Sequence, residues 1–283
     1  MMAFGTIYTP TNSAYATTAT VTVSCSGNGT DTSVRICPFV GSGTYGAAAG
    51  GPRLLGSGSA RLNFDVFTSA SYATRYPNDT VDATTPSTTL AVAATGTSST
   101  TLTLYGRIPA NQTAAATGDY AAAFSSGVFY GPAANFADCG TVVGQGQAAV
   151  SLQVAATNSP TCTVTASPVA FGSVASLVSV VNAVGAVGVT CSSGAAYSVA
   201  LNGGTNGGTS ATNRRMASGA SRITYGLYRD SARTQGWYSD ANTTATGTGT
   251  GSMQSIAVYG RVPVQATPPS GTYADTVTVT LTY

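Results

Sequence analysis

Near the C-terminus, Val277, Val279, Leu281 and Tyr283 alternate with Thr278, Thr280 and Thr282. A period of two puts every apolar side chain on one face, so the pattern predicts a half-buried β-strand. The same period recurs upstream. In the second half of the chain it predicts strands over residues 162–169, 184–191, 196–201, 222–228, 255–261 and 273–283. The first half reads the same way as far as Tyr130 and then adds a strand over 147–157.

The two halves are copies of one another. Tyr105-Gly106-Arg107-Ile108-Pro109 returns as Tyr259-Gly260-Arg261-Val262-Pro263, and each is followed by a Gly-x-Tyr at Gly118 and Gly271. Ala3-Phe4-Gly5 returns as Ala170-Phe171-Gly172, and the run 63–67 returns as 224–228. The pattern predicts an all-β chain of two tandem antiparallel sandwiches, residues 1–157 and 158–283, with the boundary in 155–160. Copy two stops one strand short of copy one. A sandwich without its last strand exposes its core along one edge, which points to completion by a strand from another molecule.

Composition narrows the function. Lys, Glu and His are absent, and 7% of the 283 residues are charged, against roughly 25% in ordinary soluble domains. Thr, Val and Tyr favour strands, and helix formers other than Ala are scarce. An extracellular structural chain fits. The net charge of +2 creates no field for nucleic acid or an acidic membrane surface. The longest apolar stretch, 174–189, is interrupted by Ser176, Ser179 and Asn182 and is too short to span a bilayer. General acid–base chemistry has few candidates, and no nucleophile–base pair stands out. The expectation is a non-enzyme with no cofactor and no metal. Residues 247–251, Gly-Thr-Gly-Thr-Gly, are no phosphate loop because no helix follows. Arg107 and Arg261 recur at one position of both copies, which favours a structural role.

The chain carries five cysteines. Cys162 precedes Phe171 by nine positions, and the same offset from Phe4 falls before residue 1. The partner of Cys25 is therefore expected in a longer natural protein, with a signal peptide upstream. Cys37 and Cys139 fall at the starts of strands at one end of the sandwich. In an oxidising compartment they are expected to bridge and clamp the loop 131–146.

The Tyr-Gly-Arg-[Ile/Val]-Pro motif, the cysteines 162 and 191, and the ending Tyr-Ala-Asp-Thr-Val-Thr-Val-Thr-Leu-Thr-Tyr resemble the spore coat protein U domain of Csu-type (archaic) chaperone–usher pilins. The resemblance covers copy two and, more loosely, copy one. It implies Ig-like sandwiches, a Cys162–Cys191 bridge, and the layout of a two-domain tip adhesin. In such a layout Val277, Val279, Leu281 and Tyr283 border a groove filled first by a periplasmic chaperone and then, at the usher, by the next subunit's donor strand. Export would run through the periplasm to the pilus tip at the cell surface.

Copy one has insertions absent from copy two, at 70–96 and 131–146. Tyr72, Tyr76, Phe129, Phe136 and Val142 lie on or beside them, with Val143 next in line. They are candidates for a surface-binding patch that attaches bacteria to abiotic or host surfaces and supports biofilm formation. Phe129 is out of phase with Val128 and Tyr130 and is expected to face outward, whereas Tyr130 matches Tyr283 and is expected in the core. Two alternatives compete: a structural spore-coat or pilus-shaft subunit without receptor activity, and a lectin-like tip. A shallow pocket holding Asp and Asn beside Tyr72 or Tyr76 would favour the lectin.

Overall fold

The alternating stretches become hydrogen-bonded ladders in the computed structural model, which describes residues 1–47, 51–78, 80–142 and 146–283. Val143 lies outside the described residues. The chain divides into two units, Met1–Ser159 and Pro160–Tyr283.

The first unit contains β1 (Met2–Ile7), β2 (Tyr15–Ser26), β3 (Ser33–Val40), β4 (Arg53–Ser57), β5 (Ala60–Phe67), β6 (Thr88–Ala91), β7 (Thr97–Ile108), β8 (Gly118–Pro132), the single turn α1 (Cys139–Val142) and β9 (Gly146–Asn158). The strands run in the order β1-β9-β8-β4-β5-β7-β2, with β3 joining β8 to β6. β9 pairs antiparallel with β8 from Gly118 opposite Asn158 to Tyr130 opposite Gly146. Its other edge pairs parallel with β1. Leu62, Phe64, Leu104, Ile108, Tyr120, Phe124, Leu152 and Val154 form the main core. Burying each such large apolar side chain contributes about 1.5–3 kcal/mol.

The second unit contains β10 (Cys162–Ser167), β11 (Val181–Cys191), β12 (Ala196–Leu201), β13 (Arg214–Ser218), β14 (Ser221–Tyr228), β15 (Ala245–Thr248), β16 (Met253–Val262) and β17 (Val279–Thr282). One sheet runs β10-β11-β16-β14-β13 and the other β15-β12-β17. Between them lie Val187, Val189, Val199, Leu201, Leu227, Trp237 and Val258. Both expected bridges are present, Cys37–Cys139 and Cys162–Cys191. The second ties directly opposed residues of β10 and β11. Cys25 is a free thiol.

Two expected strands come out short. The strand expected over 273–283 is a ladder only at β17, with an isolated bridge between Ala217 and Ala274. The strand expected over 162–169 stops at Ser167, and 168–180 carry no strand. In the first unit the counterpart of 170–172 lies in β1, whose ladder partner is β9. Without such a partner neither segment of the second unit has a full set of backbone bonds to make.

Candidate functional site

The site is the cleft between these two segments. Its two parts, about 430 and 500 Å³, share Val169, Phe171, Met216 and Tyr273 as walls. One rim is 168–173 and the other is 273–279. Ala166, Val187, Leu227 and Val258 line the first part.

The repeat assigns each wall a counterpart. Tyr120, Phe124 and Val128 of β8 correspond to Tyr273, Val277 and Leu281. The first three are buried, at 1%, 0% and 5% exposure, beneath β9. The second three are only half-buried, and Tyr283 is 57% exposed. Val277, Val279 and Leu281 pack against the core from one side only. Of the four expected groove residues, Val277 and Val279 line the cleft, whereas Leu281 and Tyr283 are not among its walls. Val279 and Leu281 pair with β12 through the backbone.

The rims are pre-shaped. Tyr273 Oη donates to Pro269 O at 2.8 Å, as Tyr120 Oη donates to Ala116 O at 2.7 Å. Gly172 takes φ 74 and its counterpart Gly5 takes φ 65, a left-handed kink that a side chain would strain. The glycine of Tyr-Gly-Arg has a packing reason. A Cβ on Gly106 would meet Met2 Sδ at 2.3 Å and Phe4 Cζ at 3.0 Å. One on Gly260 would meet Val169 at 2.6 Å and Phe171 at 2.8 Å. Each copy thus seats its Phe-Gly segment directly over the motif strand.

At the floor, Tyr225 Oη donates to Asp275 Oδ2 at 2.8 Å, and Thr205 N and Asn206 Nδ2 donate to Oδ1. Burial pushes the Tyr225 hydroxyl up, and the Asp275 hydrogen bond and charge push it further. It stays protonated, and Asp275 meets an incoming strand with its oxygens already hydrogen-bonded. The counterparts in the first unit are Phe64 and Ala122. Asn158 ends the strand that closes that unit, donating to Thr9 Oγ1, Ala115 O and Ala116 O while accepting from Thr9 N.

The proposed surface-binding residues of the first unit do not form one patch. Tyr76 is 6% exposed and belongs to the main core. Val142 is fully buried with Cys37, Phe39, Val81 and Cys139 in a smaller cluster on which Phe129 and Phe136 pack. Tyr76 and Val142 are thus corrected from surface anchors to core residues. The insertions fold back and bury their own apolar side chains under the Cys37–Cys139 bridge. Phe129 does point away from the main core, but it is half-buried against the ring of Phe39 at 5.2 Å. Arg35 Nε holds Phe136 O at 2.7 Å. Tyr72 lies elsewhere, half-buried with its ring edge-on to Phe67 at 5.5 Å and Arg107 over its face at 4.9 Å. Tyr130, expected in the core, is 38% exposed.

Two buried arginines were missed. Arg53 donates to the carbonyls of Val40, Gly41, Tyr76 and Pro77, and Arg214 donates to those of Leu201, Asn202, Ala211 and Trp237. The repeat held the signal: the offset that carries 63–67 onto 224–228 also carries Tyr76 onto Trp237, the chain's one tryptophan. No group of three or more Cys or Asp side chains suited to a metal occurs among the described residues. No helix there is long and apolar enough to cross a membrane.

Fold and cleft together define a class: tandem antiparallel Ig-like sandwiches, the first closed by its own last strand and the second open. The chain belongs to the spore coat protein U domain family, whose profile matches residues 1–125 and 148–280. Protein U of Myxococcus xanthus is 43% identical over 75 residues, covering 25% of this chain and 40% of that protein. Among solved structures, the CsuC–CsuE chaperone–tip adhesion subunit pre-assembly complex from archaic chaperone-usher Csu pili of Acinetobacter baumannii is 18% identical. That alignment covers 93% of this chain and 91% of that one, with a TM-score of 0.48. The CupB6 tip adhesin from Pseudomonas aeruginosa is 11% identical, covering 96% and 88%, with a TM-score of 0.41.

Proposed function

We propose that this chain is a pilus tip adhesin assembled by donor-strand complementation. A periplasmic chaperone fills the open cleft of the second unit, and at the usher the donor strand of the next subunit replaces it. The chain is exported through the periplasm to the cell surface, and it works by binding and assembly rather than catalysis. One observation carries this reading: β9 covers Tyr120, Phe124 and Val128 in the first unit, whereas the homologous rims of the second flank an apolar cleft. An extended segment with alternate apolar side chains is the chemistry that such an edge accepts. The first unit would attach the cell to abiotic or host surfaces and support biofilm formation, with Tyr72, Phe129 and Phe136 as the remaining apolar contact candidates.

The test is a synthetic peptide patterned on residues 150–158, added to the full chain. By the repeat, its Val150 and Leu152 positions fall opposite Val279 and Val277. The melting transition of the second unit should rise by about 5 °C or more at saturation, and that of the first should not move. An equal shift with a scrambled peptide, or none with either, would refute the reading.

A structural coat or shaft subunit without receptor activity is the second reading. Burial of Tyr76 and Val142 favours it, because it removes apolar area from the expected patch. Attachment of piliated cells to hydrophobic plastic separates the two. Asp at Tyr72 and Phe136 lowers attachment at constant pilus number only if the first unit is a receptor.

A further inference from the structure

A second cleft, of about 650 Å³, lies on the first unit beside Tyr72. Its apolar walls are Pro52, Phe67, Tyr72 and Pro109, and its charged walls are Asp65, Arg75 and Arg107. Asp65 is 3% exposed. Its carboxylate lies between the buried Arg53 and Arg75, whose Nε is 2.9 Å from Oδ2 and whose side chain is 45% exposed. Arg107 sits opposite Asp65 across the β5–β7 ladder. Among the described residues its guanidinium has the Tyr72 ring as its contact and no hydrogen-bond partner. Two guanidinium groups thus hold one carboxylate, and a third, that of Arg107, lies on the Tyr72 ring in the same cleft.

We propose that this cleft binds the carboxylate of an acidic polysaccharide. A guanidinium fork matches a carboxylate in two parallel hydrogen bonds. The adjoining rings and prolines supply an apolar wall for the C–H face of a sugar, which a bare inorganic anion would leave uncovered. The volume lies within the range of pockets that hold compact ligands. The repeat shows that the side chains, not the turn, are particular to the first unit. Tyr72 and its counterpart Arg233 share a left-handed φ, 55 and 58, so the turn belongs to the fold. Asp65 and Arg75, however, correspond to Gly226 and Gly236. The Tyr228 hydroxyl fills the space at Gly226, 2.8 Å from where a Cβ would stand. There Arg261 reaches Ala232 O and Asn182 Oδ1 instead of being left with a ring alone.

Calorimetric titration of the full chain tests this with a galacturonate oligomer, a neutral glucose oligomer of equal length, and sodium sulfate. The galacturonate oligomer should bind, more weakly as salt is added, and the neutral oligomer should not. Arg107→Gln should weaken binding about tenfold at an unchanged melting temperature, since the side chain is exposed. Arg261→Gln, the counterpart in the second unit, should leave binding unchanged. Absence of binding, equal binding of the neutral oligomer, displacement of the oligomer by equimolar sulfate, or an unchanged affinity in Arg107→Gln would each overturn the proposal.

Discussion

In the first unit, β8 has β9 hydrogen-bonded along one edge from end to end. In the second, the homologous segment 273–283 has β12 on one side and an open cleft on the other. The residues facing the core are alike in kind: Tyr120, Phe124 and Val128 against Tyr273, Val277 and Leu281. Their burial differs because Leu152, Val154 and Ala156 cover the first set. Closure is therefore a property of the last strand, not of the strands it covers. An interior this similar is covered on both sides in one unit and left open along one edge in the other.

Cutting at the closing strand should have the largest effect. Leu152→Asp places an unpaired charge where exposure is 5%, so the first unit should lose more than about 4 kcal/mol. Chemical denaturation followed by near-ultraviolet dichroism would register this, with the second unit unchanged.

Truncating matched residues sharpens the contrast. Phe124→Ala should cost the first unit about 3–5 kcal/mol. Val277→Ala, half-covered, should cost the second no more than about 1 kcal/mol in the free chain. Similar losses at the two positions would mean that the cleft is already filled.

The disulfides offer a smaller comparison. Cys37–Cys139 closes 102 residues and Cys162–Cys191 closes 29. If the bridges act by restricting the unfolded chain, removing the longer one by Cys→Ser pairs should cost about 1 kcal/mol more than removing the shorter. Equal losses in denaturant midpoints would contradict that.

The smallest effect concerns Cys25, the counterpart of the bridged Cys191. Burial pushes its thiol above the ordinary value of 9.0, and only the thiolate is alkylated. At pH 8.5 iodoacetamide should label it more slowly than a free cysteine, with the midpoint of the rate–pH curve above 9.0. A midpoint at or below that value would refute burial as the controlling factor.

Much of this architecture was legible in the residues. Alternation marked the strands of both sandwiches, because a half-buried ladder writes its period directly into the sequence. The repeat paired the segments 120–130 and 273–283, whose burial the structure then shows to differ. The surface candidates read less well, since an insertion's own packing leaves no period. Val142 and Phe136 join Cys37 and Phe39 across about a hundred residues, and only the three-dimensional path brings them together. Tyr76 was readable through Trp237 had the repeat been followed past Tyr228. The short ladder at β17 was not readable, because alternation marks a strand without telling whether both of its edges find a partner.

Hydrogen–deuterium exchange on the free full chain tests the central claim most directly, since amide protection reports whether an edge is paired. The amides of β1, β8 and β9 should be strongly protected, while those of 168–173, Tyr273, Asp275 and Val277 should exchange early. Equal, strong protection of both sets without any partner would show that the second unit is already closed.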